Sequence, residues 1–230
     1  MAKEFSYFGV IHSDPSWESL KGALKRVIKP GQIVAYELSA EGMEELNPYL
    51  DLVRKAKSEK LSVQEKEKLD KFFLISKSNP TISFNAKLIY MLQSMNCKIV
   101  PLGSSVINST IKKIDAKIAQ AQTRNNTKQV EKLKQQRENV IAIKEHSAFR
   151  KRVIRTRPDA VIVGAKHKGA FVGLPQKVVV DQLPFARRLF GKKLDEAMHR
   201  RGLARSAMAK KRINKLIGKK SSPKVRGRKK

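Results

Sequence analysis

The chain has 230 residues, with 50 Lys and Arg against 20 Asp and Glu and a formal net charge of +30. At this length one core buries most of the apolar surface, so folding needs neither disulfides nor a structural metal; Cys97 is the only cysteine, which excludes an intramolecular disulfide and points to a reducing compartment. The opening MAKEFSYFGV lacks the order of a secretory signal, and no apolar run approaches the ~18 residues of a membrane helix, so no transmembrane segment and a cytoplasmic location are expected.

Four short apolar runs, rich in β-branched residues, read as buried strands: SYFGVI (6–11), QIVAYEL (32–38), CKIVPLG (97–103) and AVIVGA (160–165). QKVVVDQL (176–183) is a weaker fifth. After the first strand, Asp14 and Pro15 open a helix as N-cap and first-turn proline; Trp17, Leu20, Leu24 and Val27 recur at helical spacing, and Pro30-Gly31 stops it. Helices follow at about 41–57, 62–77 and 81–95, Cys97 reads as a small buried hydrophobe, and 106–122 is helical again. Residues 127–156 read as one long helix ending before Pro158. Connections of this length between strands imply an α/β fold with a mostly parallel sheet flanked by helices.

The domain expected from this pattern covers 1–186, and 187–230 form a basic tail, helical in part and otherwise disordered. The tail holds 18 of the 50 Lys and Arg, only Asp195 and Glu196 among the acids, and no aromatic after Phe190. Such charge favours an anionic partner, nucleic acid or an anionic membrane surface; without aromatics a nucleic-acid contact would be made to phosphates and be non-specific.

Parallel sheets bind ligands beyond the carboxyl ends of their strands. His12 comes after the first strand, Glu37 ends the second, and His167 comes after the fourth. Gly9-Val10-Ile11-His12 and Gly164-Ala165-Lys166-His167 repeat one spacing, a glycine and, three residues on, a histidine at a strand end. Taken singly, each histidine reads as a hydrogen-bonded loop residue; as a repeated pair with Glu37 they read as a site. Two histidines and a carboxylate are a ligand set of a catalytic divalent metal. On the long helix, Arg137 shares the apolar stripe of Leu133, Val140 and Ile141, so it needs an acceptor inside or snorkels to water. Glu138 points about 100° away and is not its natural partner. His146 and His199 lie among charges and read as solvated.

In order, FGVIHS, AYEL, RENVIA and VIVGAKHKGAFVGL resemble the signature of the TraB/PrgY-like family, within a superfamily that also holds TIKI-like, erythromycin esterase-like and ChaN-like branches. The resemblance spans roughly residues 5–175 and places the family's motifs on Gly9 and His12, on Glu37, on Arg137 with Glu138, and on Gly164 with His167. It implies an α/β fold and a metal-dependent hydrolase, of peptidase or esterase type, acting on a small molecule or peptide. In that reading His12, Glu37 and His167 hold a divalent metal, Glu37, Arg137 and Glu138 serve catalysis, and the alternative is a non-enzymatic regulatory or ligand-binding protein. Lys166, between the second glycine and its histidine, departs from the pattern, since a cation there opposes a metal unless it points away. The third strand also leads to no acid in IVPLGSS.

Overall fold

The computed structural model describes residues 3–12, 14–184, 188, 191–193, 195–201, 203 and 204. The side chains of Asp14 and Pro15 and most of 187–230, including the stretch expected to be disordered, lie outside the described residues.

The described residues form five strands: β1 (Phe5–Val10), β2 (Ile33–Tyr36), β3 (Lys98–Pro101), β4 (Ala160–Gly164) and β5 (Gln176–Asp181). Their order across the sheet is β3-β2-β4-β1-β5, and every pairing is parallel. The weak fifth run is therefore an edge strand. Between the strands lie α1 (Asp14–Val27), α2 (Ala40–Ser58), α3 (Val63–Ser78), α4 (Pro80–Ser94), α5 (Ser105–Thr123), α6 (Thr127–Asn139) and α7 (His146–Thr156). A 3-10 stretch, Ala165–Phe171, joins β4 to β5.

The strands are apolar on both sides because both sides are covered. Phe8, Val10, Val34, Tyr36 and Ile162 pack on one face with Trp17, Leu20 and Leu24 of α1 and Phe84, Leu88, Ile89 and Leu92 of α4. The alternate residues Phe5, Tyr7, Ala35, Val161 and Val163 pack on the other face with Phe149 and Val153 of α7 and with Phe171. Cys97 is buried among the first set. A third cluster, Ile114, Ala121, Leu133 and Val140, zips α5 to α6.

The register sets the site. β1 pairs Val10 with Gly164 of β4, and β4 pairs Ile162 with Tyr36 of β2. The carboxyl ends of β1, β2 and β4 thus stop beside one another, and the residues next in the chain after each share one edge. Local signals anchor the helices beneath. Ser62 and Glu65 form a reciprocal capping box on α3, and Asn79 caps α4 ahead of Pro80.

The stretch read as one long helix is continuous but not uniform. Between α6 and α7, Val140–Glu145 forms a π-turn, with His146 N–H bonded to the Ile141 carbonyl, five residues back. The helix ends at Arg157 in a left-handed conformation (φ 46°) just before Pro158. Among the described residues no helix is long and apolar enough to cross a membrane.

Gly103, just past β3, packs against the end of β2. A Cβ there would lie 2.5 Å from the Glu37 carbonyl oxygen and 2.8 Å from Ser39 N. Because the obstacle is backbone, Gly103→Ala must displace the strand end that carries Glu37. It is expected to lower stability by about 1–3 kcal/mol in urea denaturation. An unchanged midpoint would contradict this packing.

Candidate active site

A cavity of about 270 Å³ opens at the carboxyl edge of the sheet. It is lined by strand-end residues His12, Glu37, Lys166 and His167, and by Arg137, Ile141, Glu145 and Phe149 of the α6–α7 helix. Thr81 and Asn85 of α4, and Ser39, the N-cap of α2, complete its polar wall.

Glu37 is the centre of the arrangement. Its Oε1 lies 3.0 Å from His12 Nε2, and its Oε2 accepts a hydrogen bond from the Gly164 backbone N–H. A Cβ on Gly164 would sit 3.2 Å from Oε2, so the glycine leaves the room that lets its amide reach the carboxylate. Burial alone would raise the carboxyl's pKa. The nearby His12 and His167 and the Gly164 amide outweigh burial and hold Glu37 well below the usual carboxylate range. Glu37 is thus a fixed anion that ties β2 to β1 and β4.

His12 is held from the other side by Phe84, its ring stacked at 5.0 Å between centroids and 8° between planes. Its Nε2 is buried and close to Glu37, yet has no aligned hydrogen-bond partner. Gly9 serves a different purpose from Gly164. A Cβ there would meet the Tyr7 hydroxyl at 2.9 Å, so this glycine makes room for a buried phenol.

His167 is 6% exposed. Burial pushes its pKa down to about 3; the Glu37 charge opposes this, while Lys166, Arg201 and His12 reinforce it. The imidazole is therefore neutral at physiological pH. Its Nδ1 lies 3.1 Å from His146 Nε2, so one ring donates and the other accepts, and it is 3.7 Å from Glu145 Oε2. Burial pushes the Glu145 carboxyl up to about 7, with the Glu37 anion adding to the rise and Lys166, Arg201 and Arg137 pulling against it.

Two sequence expectations are corrected. His146, expected to be solvated, is 4% exposed. In an α-helix five residues overshoot one turn by about 140°; in the i→i+5 turn they come close to completing it, which places His146 beneath buried Ile141. The exposed His199 matches its expectation. Glu138, expected to point away from Arg137, is its partner. Arg137 Nη1 donates to Glu138 Oε1 at 3.1 Å and Nε to Asp115 Oδ1 at 2.7 Å. Glu138 is 4% exposed and also accepts from Arg201 Nε. A carboxylate clasped by two guanidiniums orients them rather than meeting a bound molecule.

The structure thus brings together His12, Glu37, Arg137 and His167 around one cavity, with Lys166 at its exposed rim. Lys166 stands close enough for its charge to act on both His167 and Glu145. For the expected divalent metal, His12 Nε2 and Glu37 Oε1 are placed as neighbouring ligands. His167 turns Nδ1 to His146, which leaves Nε2 as its ligating nitrogen, and among the described residues no three His, Cys, Asp or Glu are grouped to hold an ion.

No protein family, curated protein or solved structure matches the chain.

Sequence reasoning missed Glu145. Arg137, Ile141, Glu145 and Phe149 are spaced by fours and all reach the cavity. Four residues overshoot an α-helical turn by about 40° each time, but the wider π-turn takes back part of that drift and keeps the four on one face. The spacing by fours was visible in the sequence, and the π-turn that preserves it was not.

The Glu145 shift has a thermodynamic sign. The folded carboxyl, pushed up to about 7 from 4.5, keeps a proton that the unfolded chain releases earlier. Stability therefore falls as pH rises from 4.5 through 7, by up to about 3 kcal/mol. Glu145→Gln removes the penalty. It is expected to stabilise the protein at pH 8 and to have little effect at pH 4.5, in denaturant titrations at each pH. An equal effect at both would show that Glu145 is an ordinary carboxylate.

Proposed function

We propose that the chain is a hydrolase acting on an ester or amide at this cavity. One observation carries the reading: a single pocket holds two carboxylates in opposite states. Glu37 is kept ionised, and Glu145 titrates near neutrality. Pairs of carboxylates separated in this way divide the work of holding charge and moving protons. The order of the motifs, which resembles the TraB/PrgY-like pattern, supports the same reading.

In the proposed reaction a water sits beside Glu145 Oε2. Glu145 takes a proton from that water as its oxygen bonds to the carbonyl carbon. The tetrahedral oxygen so formed is negative, and Arg137 and Lys166 bring positive charge to the wall that faces it. On collapse the bond to the leaving alkoxide or amine breaks, and Glu145, now protonated, returns its proton to the leaving group. Neutral His167 stands 3.7 Å from Glu145 without competing for the proton, and ionised Glu37 lies 3.0 Å from His12 on the opposite wall.

Turnover should be sought with a panel of ester and peptide substrates. Glu145→Gln, Glu37→Gln and His12→Ala are each expected to lose about 10²–10⁴-fold in kcat, with His199→Ala unchanged. Wild-type turnover by Glu145→Gln would sink the acid–base assignment, and no turnover on any substrate would favour a binding protein. Elemental analysis of the wild type, His12→Ala and His167→Ala separates a metal route. Stoichiometric metal lost in both variants would replace this mechanism with a metal-centred one.

A further inference from the structure

Residues 195–201 are helical and lie beyond β5, in the segment expected to stand apart as a tail. Two adjacent arginines fasten them to α6. Arg200 forks onto Glu131, Nε to Oε1 at 2.8 Å and Nη2 to Oε2 at 3.1 Å. Arg201 reaches Glu138, two turns further along the same helix. The Arg200 pair lies at the surface, whereas Arg201 and Glu138 are both buried.

Arg201 does more than dock the segment. It is 4% exposed, and its guanidinium has a second hydrogen bond, from Nη1 to the Lys166 carbonyl at 3.0 Å. Lys166 belongs to the second Gly-x-x-His turn, one residue before His167. Glu138 is also bound by Arg137, which lines the cavity. One guanidinium therefore joins two walls of the pocket: the helix that presents Arg137 and the turn that presents His167. The 3-10 stretch that carries His167 has no side-chain cap of its own. A buried guanidinium is costly to desolvate, and an apolar residue would fill the same space at lower cost.

We propose that Arg201 is a positioning residue that locks the second Gly-x-x-His turn to α6, so that the C-terminal segment completes the site. The proposal rests on the cavity being the functional site. The geometry uses the fork: Glu138 and the Lys166 carbonyl are met by separate nitrogens of one planar guanidinium, Nε and Nη1, whereas a lysine presents its three donors from one atom on a flexible stem.

The test uses the full-length ¹⁵N-labelled chain and the imidazole nitrogen signals of His167, compared among wild type, Arg201→Ala, Arg201→Lys and Arg200→Ala. Arg201→Ala is expected to keep the amide spectrum of β2, β3 and α4 but to lose the wild-type His167 positions, and millimolar guanidinium is expected to restore them. Arg201→Lys should lose them as well, and Arg200→Ala should keep them. A folded Arg201→Ala with wild-type His167 signals would overturn the proposal. If that variant does not fold, Arg201→Lys decides: wild-type His167 signals there would overturn it equally. Failure to find hydrolytic turnover would count against the hydrolase reading and leave this spectroscopic result standing.

Discussion

The Glu37 carboxylate is charged and largely removed from water, so it must be compensated by groups that other strands deliver. Its own strand supplies none of them. The amide comes from Gly164 at the end of β4, and the imidazole comes from His12 after β1. This requirement depends on the parallel register that halts three strands side by side, and on a sheet order that places β4 between β2 and β1. It also accounts for one of the two motif glycines. Gly164 serves the carboxylate directly, and Gly9 accommodates the tyrosine beneath it.

The opposite wall is made by one helix whose phase is adjusted. The π-turn at Val140–Glu145 holds Arg137, Ile141, Glu145 and Phe149 towards the cavity and brings His146 under the core, where it meets His167. The two walls then set each other's chemistry. Burial and then the Glu37 anion raise Glu145, and burial with the cations Lys166 and Arg201 keeps His167 neutral. A chain of carboxylates and guanidiniums, Asp115–Arg137–Glu138–Arg201, exposed at Asp115 and buried at Glu138 and Arg201, braces the helix from behind.

Much of the fold was legible because its signals are local. Runs such as AVIVG are too short and too β-branched for helices, and the long connections between strands demand parallel pairing. The strand-end residues His12, Glu37 and His167 were legible too, because a parallel sheet gathers the carboxyl ends of its strands on one edge. Glu145 and His146 were hidden for a physical reason. VIAIKE carries no residue that marks a π-turn, so IKEHSAFR reads as ordinary solvated helix, and the shift of phase that turns His146 inward leaves no trace in composition. The Arg137–Glu138 contact was excluded by an argument about directions that ignored the length of an arginine side chain. Arg201 lies 63 residues from Glu138, within a run of basic residues that reads as uniform charge.

The account claims that one pocket holds two glutamates in opposite states, and the ¹³C carboxyl signals of Glu37 and Glu145, monitored through a pH titration, test this most directly. Assignment would come from Glu37→Gln and Glu145→Gln. The expected result is a Glu145 carbon that titrates near pH 7 and a Glu37 carbon that stays ionised down to the acid limit of the folded state. Two ordinary titrations, both between about pH 4 and 5, would contradict it.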